Sequence, residues 1–136
     1  MILSPIYSLK HQSQLKMEQI VNRNVTIDGT IIYLELYKLH KSYLLLISDQ
    51  KDLGIGSVTI GNPPRIEGLK STAASYRLFG VNKKLLSTII AEKASNVLKA
   101  PVLLLLFLKI EKKEEDLARP LAEFLKDVLS NIDDKN

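Results

Sequence analysis

The sequence contains no cysteine and no tryptophan, and only 2 histidines among its 136 residues. The lack of cysteine excludes disulfides, thiolate nucleophiles and thiolate metal ligands, and it fits a cytosolic protein. His11 and His40 stand apart, with no Cys, Asp or Glu at ligand spacing. No metal centre is therefore expected, and both read as solvated surface residues. No apolar run approaches the about 20 residues that a membrane-spanning helix needs. Residues 1–16 lack a basic region followed by an apolar run, so no signal peptide is read there. The net charge is only +4, and Lys and Arg are interleaved with acids, without the basic stripe of a nucleic-acid binder. These absences together predict a soluble cytoplasmic protein with no cofactor and no nucleic-acid or membrane partner.

Residues 100–110 carry the strongest positive signal. Val102, Leu104, Leu106 and Leu108 point one way along a strand, and Leu103, Leu105 and Phe107 the other. A half-exposed strand alternates apolar with polar, so an unbroken run predicts a central strand covered on both sides. Pro101 stands at its first residue, where a strand tolerates proline. Residues 43–47 form a second run apolar on both sides, and residues 18–27, 30–39, 55–60 and 75–79 read as further strands. Asp28-Gly29 is a hairpin signal, because both residue types accept positive φ.

The period then changes. Leu85, Leu86, Ile89, Ile90, Ala94, Val97 and Leu98 recur at helical spacing after a candidate N-cap at Asn82. A second stripe, Leu117, Leu121, Phe124, Leu125, Val128, Leu129 and Ile132, predicts a helix from about residue 115. Pro120 must stand in the first turn of that helix or kink it.

The expected fold class is α+β, a mainly antiparallel sheet of about five to six strands with two helices on one face. A single domain over residues 17–132 would follow residues 1–16 and precede a polar tail at 133–136. Residues 1–16 read either as a flexible arm or as an edge segment carrying Ile2, Ile6 and Tyr7. Two helices cover one face only, so the leucine runs predict a dimer through the other, with Leu34, Leu36, Leu44, Leu46 and Val58 as its candidate face.

Little in the chain suits catalysis. Gly54-Ile55-Gly56 opens like a dinucleotide loop, but a strand follows where a helix is required. Gly80-Val81-Asn82-Lys83-Lys84 precedes a helix without the Gly-Lys-Ser/Thr ending of a P-loop. Its lysine pair opposes the helix dipole, so Lys83 and Lys84 read as solvated or as partner contacts. Ser71, Thr72 and Ser75 have no histidine base in a recognisable context. Glu35, on an otherwise apolar and aromatic strand face, is an edge residue, a partner of a Lys across the sheet, or a perturbed carboxylate. A dry polar pocket containing Glu35 or Tyr33 would mark a ligand site. The long loop 62–72 exposes Arg65, Glu67 and Lys70 and is the main candidate contact loop.

Several stretches together resemble a family. Ser75-Tyr76-Arg77-Leu78-Phe79-Gly80, Leu85-Leu86 in a helix, Lys99-Ala100-Pro101-Val102-Leu103-Leu104 and a terminal amphipathic helix are similar to the small proteasome-assembling chaperones, the third and fourth of that set. Tyr43-Leu44-Leu45-Leu46-Ile47 and Gly54-Ile55-Gly56-Ser57-Val58 match that family's strand, glycine-containing turn and strand. The likeness spans residues 25–129. It implies a non-enzymatic dimer, with itself or a related chain, that binds α-type proteasome subunits during ring assembly. The chain departs from the family at Asn82-Lys83-Lys84, where an acid and a proline are usual, and its last residues lack a hydrophobic-Tyr-any docking tail. Two readings stand beside this one: a small α+β scaffold or dimerisation module of another complex, and a small-ligand binder or enzyme.

Overall fold

The structure, a computed structural model, describes residues 17–64, 72–77 and 84–133. Its elements run β1 (Glu18–Ile27), β2 (Thr30–Leu39), β3 (Ser42–Ser48), β4 (Ser57–Asn62), β5 (Thr72–Arg77), α1 (Lys84–Leu98), β6 (Val102–Phe107) and α2 (Glu114–Asp133). The strands form one 6-stranded sheet in the order β1-β2-β3-β6-β4-β5. Every neighbouring pair is antiparallel except β3 with β6. The fold is α+β, and the leucine-rich β6 lies inside the sheet as its sequence requires.

The turns follow local chemistry. Asp28 and Gly29 take φ of 48° and 81°, the left-handed pair of a tight hairpin between β1 and β2. At the end of α1, Lys99 takes φ 54° and the Ala100 N–H donates to the Ser95 carbonyl at 3.3 Å. That bond satisfies a carbonyl the helix leaves open, with lysine in a position usually given to glycine. Pro120 is the seventh residue of α2, beyond its first turn, so the Asp116 carbonyl loses its usual intrahelical donor.

One face of the sheet carries the core. Ile32, Leu34 and Leu36 of β2, Leu45 and Ile47 of β3, and Val102, Leu104 and Leu106 of β6 are buried with Leu86, Ile90, Leu117, Leu121, Leu125 and Leu129 of the helices. α1 lies over β4, β5 and β6, while α2 packs beside α1 and reaches β1. The expected stripe of α2 is buried or partly buried throughout.

The α1 stripe needs correction. Leu85 is 54% exposed, whereas Ser87, Ala91 and Ser95, outside the expected stripe, are buried. α1 meets the sheet through small residues because it sits so close: a Cβ at Gly61 would overlap the Ala91 carbonyl oxygen. Ser57 and Ser87 share a hydrogen bond of 3.0 Å within this contact, so their buried hydroxyls are satisfied.

Candidate functional site

The second face of the sheet is the candidate site, and strand register defines it. Tyr37 pairs with Leu44, Leu44 with Leu103, and Leu103 with Ile60; one row along, Glu35 pairs with Leu46, Leu46 with Leu105, and Leu105 with Val58. Alternation puts Leu44, Leu46, Leu103, Leu105, Val58 and Ile60 on the side away from Leu45 and Leu104, hence away from both helices. Ile60 is 42% exposed, and Ile31, on the same side of β2, is 44% exposed. A contiguous aliphatic strip open to water is the usual mark of an interaction surface.

The expected dimer face is split by this register. Leu44, Leu46 and Val58 lie on the open side, but Leu34 and Leu36 are 1% and 0% exposed beneath the helices. The reason is parity: β2 pairs Leu36 with Leu45, so its even-numbered residues share a side with the odd-numbered residues of β3. Leu103, Leu105 and Ile60 take the vacated places.

A hydrogen-bonded trio borders the strip on the β1 side. The Tyr37 hydroxyl donates to Glu35 Oε1 at 2.6 Å, and Gln19 Nε2 donates to the same oxygen at 2.7 Å and to Tyr37 Oη at 3.1 Å. Glu35 and Tyr37 are two apart on β2 and thus on one face, and Gln19 is the register partner of Tyr37. The bond to Glu35 raises the Tyr37 pKa above its ordinary value; burial and the Glu35 charge add to the rise, and the Gln19 amide opposes it. This trio belongs to an open sheet surface. A cleft of about 440 Å³ beside β1 is lined by neither Glu35 nor Tyr33.

Along the strand direction, the β3–β4 connection lies beyond Leu105, against Phe107. That connection passes the end of β6, where a Cβ at Gly54 would stand 2.7 Å from the Phe107 ring. Asp49 fixes the crossing: its carboxylate accepts the Lys109 N–H at 3.0 Å and the Ile110 N–H at 2.9 Å. Lys109 Nζ lies 5.7 Å from the Phe107 ring centroid, a cation–π contact at the corner. The Gly54-Ile55-Gly56 stretch thus makes a loop, and β4 begins after it at Ser57.

Of the expected contact residues, Arg65, Glu67, Lys70 and Lys83 lie outside the described residues, as does Asn82. Lys84 opens α1 and is exposed. A residue from the other helix completes this helix end: Glu114 Oε2 accepts the Leu86 N–H at 2.6 Å. No local pattern links two residues 28 apart in the chain. Asn62 and Thr72 are register partners, so the candidate loop between them closes a β-hairpin.

Among the described residues no group of three or more His, Cys, Asp or Glu converges to hold a metal, and no helix is long and apolar enough to cross a membrane. No family model and no curated protein matches the chain in sequence. The fold does match a solved structure, a chain of a yeast chaperone complex for 20S proteasome assembly. The TM-score is 0.60 at 9% identity, over 86% of this chain and 95% of that one. At that identity the likeness shows a shared fold.

Proposed function

We propose that this protein is a non-enzymatic assembly chaperone that pairs through its open sheet face and binds α-type proteasome subunits while their ring forms. The observation that carries the reading is the aliphatic strip of Leu44, Leu46, Leu103, Leu105, Val58 and Ile60, which no helix covers among the described residues. Covering it with a second copy or a related chain would remove this aliphatic strip from water. The fold likeness to a chain of a proteasome-assembly chaperone complex supports the choice of client. Lys84, with Arg65, Glu67, Lys70 and Lys83, remains the proposed client contact, and cytoplasmic residence goes with that client.

The test has two parts. Sedimentation of the purified chain at micromolar concentration should show a dimer, or a dimer once a related chain is added. Titration against isolated α-type subunits should show binding that weakens with salt, because exposed charge pairs are screened. A monomer that binds no α-type subunit at low salt would overturn the reading. A specific partner from another complex would turn it to the scaffold alternative.

A further inference from the structure

The cleft of about 440 Å³ lies between β1, the outermost strand among the described residues, and the end of α2, and of the open-face trio it shares only Gln19. Its walls are β1, from Glu18 to Arg23, and the last turns of α2 at Val128, Asn131 and Ile132. Among the described residues β1 pairs with β2 alone, so its other edge offers backbone N–H and C=O groups to an added strand. Ile20, Val21, Val128 and Ile132 are the apolar residues of the cleft's lining, and the ladder is irregular between Gln19 and Val21.

Charge selects the occupant. Glu18 and Lys38 are register partners that both line the cleft, and their formal charges are opposite. Arg23 is exposed and has no acidic partner among the described residues. A charge on the core side of an edge strand resists indiscriminate pairing. The same charge favours a strand that brings a carboxylate, which arginine can grip with two parallel hydrogen bonds.

We propose that this cleft binds an extended peptide of a partner protein by strand addition to β1, selecting an apolar residue and an acid two positions apart. Val21 and Arg23 are two apart and share a face, so an added strand would set its apolar side chain against Val21 and its acid against Arg23. Backbone bonds to β1 would give affinity, and this side-chain pair specificity. Residues 1–16 of the chain contain no Asp or Glu, so they cannot supply that carboxylate.

The experiment is selection of random short peptides displayed against the full chain, followed by anisotropy titration of one enriched peptide. The enriched peptides should share apolar-any-acid spacing, and hydrogen exchange should slow at β1 amides when the peptide is bound. Arg23→Glu, at an exposed position, should keep the circular dichroism spectrum, weaken the chosen peptide about tenfold and shift the selected acid to a base. No enrichment, enrichment without the acid, or the same selection on Arg23→Glu would overturn the proposal. None of these outcomes bears on pairing through the open face, which sedimentation reads separately.

Discussion

Glu114, the first residue of α2, caps the other helix: its carboxylate accepts the Leu86 N–H at 2.6 Å. The first turn of α1 has no acid of its own, and Lys84 adds a positive charge at the positive end of the helix dipole. A carboxylate from a neighbouring helix answers both the open N–H and the charge. It also joins the connection after β6 to the start of α1.

Replacing Glu114 with Ala should therefore cost about 1 kcal/mol of stability, within the range of lost N-caps. Urea unfolding followed by circular dichroism reads this, and Glu114→Gln should recover part of the loss. Equal midpoints for all three proteins would remove the capping role.

Residues 100–110 show how far the sequence could be read and where it stopped. An unbroken apolar run required a central strand, and β6 lies between β3 and β4. The same run required apolar surroundings on both faces, yet alternation within one strand does not say which face meets the helices. β2 shows the consequence, since Leu34 and Ile31 are both apolar and only pairing with β3 places one under the helices and the other in water. The open strip therefore became legible only through register, a long-range property. Small residues of α1 escaped for a related reason: Ser87, Ala91 and Ser95 are buried because Gly61 lets the helix approach, and the two stretches are far apart in sequence.

Leu104 and Leu105 are neighbours on β6 with opposite fates, and they separate association from stability. Leu105→Asp should leave the fold intact and weaken the proposed pairing at least about tenfold, because a carboxylate would be buried at the proposed interface. Leu104 is fully buried, so Leu104→Asp should cost more than about 3 kcal/mol. Sedimentation reads the first variant and urea unfolding the second. If Leu105→Asp paired as well as the parent, the open strip would not be the interface.

Gly61 reports on the contact between α1 and the sheet. A methyl group there would run into the Ala91 carbonyl oxygen and carbon, which belong to backbone and cannot swing aside. Gly61→Ala should destabilise the protein by about 1–3 kcal/mol through overpacking. Thermal unfolding checks this, and a variant as stable as the parent would show that α1 can lift off the sheet at little cost.

Tyr37 gives the open face a signature at alkaline pH. Its pKa is raised chiefly because the hydroxyl donates to Glu35, and ionisation would break that bond and set two negative charges together. The folded state thus holds this proton more tightly than the unfolded chain, whose phenols titrate near about 10. The resulting stability is fully present below that pH and is lost as pH rises through the higher folded value. Neutral-pH stability should not depend on pH through this group. Near-ultraviolet titration of tyrosinate should show a step above about pH 10, absent in Tyr37→Phe and moved downward in Glu35→Gln. An unchanged titration in Glu35→Gln would mean that the bond does not hold in solution. If the open face pairs as proposed, covering the trio should raise the step further in concentrated protein, since burial disfavours the phenolate.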